Sequence, residues 1–366
     1  MIELKKNGLR ISSPELDRRA GFTINFQRTL RIPDDDNTYP LPPGLGSFPL
    51  RHVDDFAERV PEHWRRHGGL LLPMYQSEAL WVAFGEDAGF AEWGDIFWSG
   101  YGESAGWPYA VKLAAGKINA VTGLPWQDGL VGTPQDYLVV PGQPWLDGFC
   151  IEKGSIRQFV AASLGSGATV EEQLTGEAQT GGLQIVAYPM KAERFQKILR
   201  ERRAREARVR SWSVGSSVHE SVHEPSGVYS VSSSYEQGLA AGGRMKQDIK
   251  VDPHGVDAWD QRYPSRCFVH LANSLAWRGI TDQAPPTAPR TAADYERAGL
   301  PWFDYYSDGP AVEGASCLAG VKSVAELDAE NGSALLPENQ SVVPGKVIEL
   351  GPGSKLKPGQ VREGRF

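Results

Sequence analysis

The sequence predicts a β-rich α+β fold, with layered antiparallel or mixed sheets, few helices and many Gly/Pro loops. Glycine and proline supply 41 and 26 of the 366 residues, together about 18% of the chain. Their usual combined share is about 12%, so long helices cannot dominate this fold. Short segments with apolar residues at every second position outnumber helical segments. The chain also lacks the regular alternation of strands and helices that a doubly wound sheet requires.

The first strand is predicted over 23–32, where Ile24, Phe26, Leu30 and Ile32 share one face at a period of two. A short helix is predicted over 53–66, although Pro61 interrupts it. Further strands are predicted over 79–84, 109–113, 137–140, 156–161, 183–188, 228–235, 267–271 and 347–350.

Helices are predicted at three later places. The segment 190–210 has no Gly or Pro and is rich in Ala, Arg, Glu and Lys, all good helix formers. Thr291 followed by Asp294 and Ser323 followed by Glu326 are typical of helix starts, the second pair matching a capping box.

The predicted organisation has four parts. Residues 1–210 form a β-rich domain that ends in a basic helix, and 211–235 is a Ser/Val-rich loop or linker containing a tandem Ser-Val-His-Glu repeat. Residues 236–350 form a smaller α+β part packed on the first. The last stretch, 351–366, is expected to be a flexible tail.

Composition restricts the classes of function. Hydrophobic residues at 40% and charged residues at 23% are normal for a globular chain, and a net charge of −7 disfavours a nucleic-acid-binding surface. The three cysteines, Cys150, Cys267 and Cys317, form no CxxC pair, so a reducing compartment is expected. No signal peptide or membrane span is indicated. We therefore expect a cytoplasmic protein without a cofactor.

Several strings are specific as a set: FQRTLRIPDD (26–35), YPLPPGLG (39–46), PWLDGFC (144–150), GLAAGGRMKQDI (238–249) and VDAWD (256–260). Together they resemble an uncharacterised family of bacterial proteins of about this length. The resemblance covers most of the chain and implies a bacterial protein that works as a single unit. It supplies no catalytic residues.

The segment 102–106 matches the G-x-S-x-G pattern of hydrolases, with Ser104 as the candidate nucleophile. His67-Gly68-Gly69 resembles the start of an oxyanion loop. His254 or His270 would then act as base, and Asp257 or Asp260 as the acid that orients it.

Three observations disfavour a hydrolase. Two glycines interrupt the segment before Ser104, His67 precedes it by only about 35 residues, and the strand–helix alternation of that fold is missing. We expect a turn here and keep the serine hydrolase as an alternative.

Two further motifs favour ordinary loops. His219 and His223 match HExxH, but Pro225 and the Ser/Val-rich surroundings disfavour the helix that a zinc protease needs. A metal-dependent hydrolase is therefore the weaker alternative. The glycines of 238–243 approximate a phosphate-binding loop, but Arg244 and Met245 replace its Lys and Ser/Thr. We expect a glycine turn leading into a strand.

Two features favour binding. The segment 190–210 carries nine basic and three acidic residues, including Arg202, Arg203 and Arg205. Its net charge is therefore +6, whereas the rest of the chain has a net charge of −13. Tryptophans cluster between positions 81 and 145, and Trp93, Trp98 and Trp107 have Gly, Ser or Asp as neighbours. Exposed aromatic rings beside polar side chains suit sugars or protein contacts.

The sequence therefore predicts a non-catalytic binding or self-assembling protein that uses an aromatic-rich loop surface and a basic helix. The expected partners are a second copy of the chain or an acidic protein, with a carbohydrate as a further candidate ligand. Nucleic acid is disfavoured because no aromatic stacking pattern accompanies the basic residues, and no membrane partner is expected.

Overall fold

A computed structural model of the chain describes residues 1–35, 37–85, 106–209, 236–305, 309–332 and 339–350. The strands in this part are β1 (Ile2–Lys5), β2 (Gly8–Ser12), β3 (Gly21–Thr29), β4 (Thr38–Tyr39), β5 (Gly44–Ser47), β6 (Arg51–His52), β7 (Leu70–Pro73), β8 (Ala79–Phe84), β9 (Tyr109–Ala115), β10 (Ile118–Asn119), β11 (Leu138–Val140), β12 (Trp145–Leu146), β13 (Gly148–Glu152), β14 (Ser155–Ser163), β15 (Leu183–Pro189), β16 (Glu236–Lys246), β17 (Ser265–Ala272), β18 (Trp302–Tyr305) and β19 (Val347–Leu350). The α-helices there are α1 (Glu62–His67), α2 (Val170–Thr175), α3 (Ala192–Val209), α4 (Ser274–Thr281), α5 (Ala292–Arg297), α6 (Ser316–Ala319) and α7 (Val324–Glu330).

One large, mainly antiparallel sheet dominates the structure. Its strands pair in the spatial series β1–β2–β3–β8–β14–β16–β17–β15–β9–β11, antiparallel at every step. The short strands β4 and β7 add parallel pairs to β16 and β17. A separate two-stranded parallel sheet joins β18 to β19. The prediction of a β-rich α+β fold is confirmed.

The β8 strand shows how the sheet separates two cores. Leu80, Val82 and Phe84 belong to the main hydrophobic core on one face. Trp81 and Ala83 belong to a second core on the other face, which also includes Trp145 and Trp302. Because alternate residues of a strand point to opposite faces, all six residues of β8 are buried. The second core fills the space between the large sheet and β18.

The predicted helix over 53–66 is wrong in its extent. The chain forms a 3₁₀ turn at Asp54–Phe56 and then α1, with Pro61 as the N-cap residue between them. Proline lacks an amide hydrogen and restricts the residue before it, which breaks a continuous helix. The caps at Thr291 and Ser323 are confirmed, the latter as a full capping box with Glu326.

The glycine-rich segment 238–243 is part of β16, so the predicted turn is wrong. A Cβ atom on Gly243 would lie 2.2 Å from the Pro33 carbonyl oxygen, and one on Gly242 would lie 2.5 Å from the Val160 side chain. Glycines are present here because neighbouring chain segments approach the strand closely.

The β16 strand also links the two predicted parts of the chain. It pairs with β14 from Ser155↔Lys246 to Ser163↔Gln237, so strands from before 210 and after 236 share one sheet. The predicted strand over 228–235 and the predicted tail over 351–366 lie outside the described residues. Of the helices that the structure describes, none has the length and apolar character needed to span a membrane.

Candidate binding cleft

A cleft of about 240 Å³ opens where the large sheet meets β18. Four separate segments form it: residues 143–145 at the start of β12, the turn between β13 and β14, the end of β16 with the residues that follow it, and the end of β18. Its lining consists of Gln143, Pro144, Trp145, Gly154, Lys246, Gln247, Asp248, Lys250, Asp304 and Tyr305.

Two aromatic rings form the apolar part of this cleft. The ring centroids of Trp145 and Tyr305 are 5.1 Å apart and the rings are inclined at 69°. Trp145 is buried and packs on Trp81 in the second core, whereas Tyr305 is half-buried. Trp145 therefore forms the floor, and Tyr305 supplies ring surface at the wall.

The Gln143 side chain holds the backbone around the cleft in place through three hydrogen bonds. The Gln143 amide nitrogen donates to the carbonyl oxygens of Trp145 at 3.0 Å and Asp248 at 3.2 Å. Its carbonyl oxygen accepts from the Lys250 backbone N–H at 2.9 Å. Buried amides with both groups bonded hold a loop in one conformation. The 246–250 segment is thereby joined to the 143–147 segment.

Asp147 lies buried behind the floor of the cleft. Its backbone N–H donates to Gln247 Oε1 at 3.0 Å, while Gln247 Nε2 donates to Asp147 Oδ2 at 2.7 Å. The Trp145 side chain also donates to this carboxyl group. Burial raises the pKa of Asp147 to about 7, and these hydrogen bonds only partly oppose that rise. One titratable group thus orients both Trp145 and Gln247.

The charged residues of the cleft are balanced in sign. Lys246 Nζ donates to Asp304 Oδ2 at 3.0 Å. Lys250 Nζ lies 6.0 Å from the centre of the Tyr305 ring, close enough for a weak cation–π contact. Burial lowers the pKa of Lys250, and the nearby Asp248 carboxylate partly offsets this. The cleft offers both donors and acceptors without a net charge.

A wider, more open depression of about 570 Å³ contains Asp257 and Asp260, two of the predicted acids. Arg262 makes a bidentate contact with Asp260, at 2.8 and 2.6 Å, and lowers the pKa of Asp260. The ring of His254 meets Trp259 edge-on at 5.8 Å, and its backbone N–H donates to Asp252. The Asp260 carboxylate is thus engaged by arginine.

His270 and the His67-Gly68-Gly69 string are neighbours. His270 Nε2 lies 3.0 Å from the Gly68 carbonyl oxygen, and its ring stacks on Trp64 at 4.7 Å. Burial lowers the pKa of His270 to about 4, so it stays neutral and donates to Gly68. Ser104, the nucleophile predicted beside them, lies outside the described residues.

Trp107 is not an exposed binding residue, so this part of the prediction is wrong. Its side chain is 2% exposed, its indole donates to the Met190 carbonyl oxygen at 2.9 Å, and its ring packs on Phe195 at 4.3 Å. Residues at the start of α3 bury the Trp107 side chain. No local sequence pattern around position 107 predicts this burial.

The other predicted site residues fall outside the described parts. Trp93, Trp98, His219 and His223 are not described, and the side chains of Arg202, Arg203 and Arg205 are not described although α3 runs through them. Within the described ranges, no group of three or more His, Cys, Asp or Glu residues is arranged to hold a metal ion.

None of the residues that line the cleft is among the predicted site residues. Trp145 belongs to the tryptophan-rich stretch, and the strings PWLDGFC and GLAAGGRMKQDI each contribute lining residues. Tyr305 and Gln143 stand in segments without any motif, so sequence patterns could not associate them with the cleft.

The fold and the cleft define a sheet-rich α+β protein with a small, polar and aromatic cleft of balanced charge. No protein-family model, curated protein or solved structure matches the chain.

Proposed function

We propose that this protein is a non-catalytic binding protein that holds a carbohydrate of about one ring in the cleft around Trp145 and Tyr305. The observation that carries the proposal is the pair of aromatic rings, 5.1 Å apart, beside amide, carboxylate and ammonium groups in one cleft.

The chemistry of a sugar ring matches these groups. A sugar presents apolar C–H faces, which pack on aromatic rings, and hydroxyl groups, which both donate and accept hydrogen bonds. Lys246 and Lys250 donate, whereas Asp248 and Asp304 accept. A volume of about 240 Å³ lies just below the ~300–1,000 Å³ typical of ligand pockets, which favours a single ring over a long chain.

The balance of charge disfavours a strongly anionic ligand. Lys246 is already paired with Asp304, and Asp248 lies near Lys250. A phosphate group would have to compete with both carboxylates for the two ammonium groups. A neutral polyol meets no such competition.

We expect Tyr305→Ala to weaken the binding of a monosaccharide by about tenfold, equal to ~1.4 kcal/mol, because the wall loses its ring. Isothermal titration calorimetry against neutral hexoses, pentoses and N-acetylhexosamines measures this. Tyr263→Ala is the matched control, since Tyr263 is 40% exposed and lies outside the cleft. If no sugar binds, or if both variants bind as the wild type does, the proposal is wrong.

A second candidate function, self-association through α3, has support from the surface of that helix. Lys191 precedes the helix and is exposed, as are Arg194, Lys197 and Arg200 along it, while Phe195 is its buried anchor. Ile198 and Leu199 are only partly buried against the main core. A basic face on a chain that is otherwise acidic gives two copies complementary surfaces.

Reversing Arg202, Arg203 and Arg205 to Glu is expected to lower the solution mass at micromolar concentration without unfolding the chain. Wild-type association should weaken as salt rises, because exposed charges are screened over about 8 Å at physiological ionic strength. Light scattering with circular dichroism measures both effects. Reversal of Arg18, Arg65 and Arg66, all exposed and outside α3, is the charge-matched control. A monomeric wild type, or equal mass in both triple variants, contradicts self-association.

A serine hydrolase at Ser104 and a metal-dependent hydrolase at His219 and His223 are the alternatives to a binding protein, and all three residues lie outside the described part of the chain. A cytoplasmic location belongs to the proposal, and the three free cysteines support a reducing compartment.

A further inference from the structure

Two lysines face the same cleft in different surroundings. Lys246 is exposed and its ammonium group is paired with Asp304 at 3.0 Å. Lys250 is half-buried, and within the residues that the structure describes its Nζ makes neither a hydrogen bond nor an ion pair. Its neighbour is the Tyr305 ring, whose centre is 6.0 Å away.

The backbone around Lys250 is held firmly. Its N–H donates to the buried Gln143 side chain, and the preceding residue, Ile249, is buried and accepts from Val312. The Cα atom of Lys250 is therefore held in a fixed position at the wall of the cleft. A small molecule that enters the cleft meets this amine beside an aromatic ring.

We propose that Lys250 is a nucleophilic amine that condenses reversibly with a small aldehyde bound in this cleft. The nitrogen lone pair attacks the carbonyl carbon to form a carbinolamine. Loss of the carbonyl oxygen as water then gives an imine, so one amine and one aldehyde yield one imine and one water. The step needs no oxidant or reductant.

The surroundings of Lys250 favour the neutral amine, which is the reactive form. Burial removes water from the ammonium group and lowers the pKa of Lys250, and this effect exceeds the opposing attraction of Asp248. Lys246, by contrast, is exposed and its ammonium group is held by the Asp304 carboxylate. The proposal goes beyond sugar binding and does not depend on it, because a simple aldehyde tests the amine alone.

The test uses the full chain with glycolaldehyde and cyanoborohydride, which reduces the imine to a stable secondary amine. Chymotryptic peptides analysed by fragment mass spectrometry report the label at each lysine. We expect Lys250 to be labelled at least about fivefold faster than Lys246 near pH 7. The difference should shrink as the pH rises toward about 10, where an ordinary lysine also loses its proton.

The variants Lys250→Arg and Lys246→Arg form a matched pair in the same cleft. Loss of the fast label in the first and its persistence in the second supports the proposal. Equal labelling of the two lysines in the wild type, or a fast label that survives Lys250→Arg, overturns it. Sugar binding by calorimetry with a non-reducing methyl glycoside remains a separate measurement, so failure of the amine is distinguishable from failure of the binding function.

Discussion

Replacing Lys112 with Met is expected to lower the free energy of unfolding by about 3–5 kcal/mol, since removal of one partner leaves a buried charge uncompensated. Lys112 lies on β9 and is 1% exposed. Its ammonium group contacts Asp136 at 2.5 Å and donates to the carbonyl oxygens of Gln127 at 2.7 Å and Gly129 at 2.9 Å. Methionine fills a similar volume but satisfies none of these acceptors.

The ion pair also holds the connection between β10 and β11. Asp136 accepts from the Val131 backbone N–H at 2.9 Å, and the Lys112 ammonium group lies 5.1 Å from the centre of the Trp126 ring. Chemical denaturation of the wild type and the variant measures the loss. Lys117→Met, at an exposed lysine in the β9–β10 turn, should change stability by less than about 0.5 kcal/mol. A loss below about 1 kcal/mol for Lys112→Met would show that the pair contributes little net stability.

Asp147 is expected to make the protein less stable as pH rises from about 4 to about 7. Burial raises the pKa of Asp147 to about 7, whereas the same group in the unfolded chain keeps its ordinary value of 3.8. Between these two values the folded state retains a proton that the unfolded state has released. The free energy of unfolding therefore falls with pH in this window, and the full cost is present above pH 7.

Asp147→Asn isolates this effect, because asparagine does not ionise. The free energy of unfolding of the variant minus that of the wild type should rise by about 2–3 kcal/mol between about pH 5 and pH 8. The effect of the lost hydrogen bond is the same at both pH values and does not contribute to this rise. Denaturant titrations at both pH values measure the difference. Asp128→Asn, at an exposed carboxylate, should show no such trend. A difference that is independent of pH would mean that Asp147 ionises normally in the folded protein.

The same residue connects stability with the cleft. The Asp147 carboxyl group accepts from Gln247 at 2.7 Å and from the Trp145 side chain. Protonation leaves it fewer acceptor sites for these donors. Both side chains line the cleft, so its geometry depends on the state of one buried proton.

Local elements were predictable because their signals lie within a few residues. The strand over 79–84 coincides with β8, the basic helix over 190–210 with α3, and the Ser323–Glu326 cap with the start of α7. Periodicity reports which faces are apolar, and cap residues satisfy free backbone groups at fixed spacing. The failures have equally local causes: Pro61 divided a helical pattern, and close approach by Pro33 explains glycines that resembled a turn.

The sequence by itself determined the fold class, the positions of eight of the 19 strands that the structure describes, and the charge contrast between α3 and the rest of the chain. Only the tertiary structure decided which residues form the cleft, because Gln143, Gln247 and Tyr305 are about 60–160 residues apart and meet through strand pairing and long-range hydrogen bonds. It also decided that Trp107 is buried, since α3, more than 80 residues later, covers it. Local sequence patterns indicate whether each segment favours a helix or a strand. Which strands pair with each other depends on the burial and hydrogen bonds summed over the whole sheet.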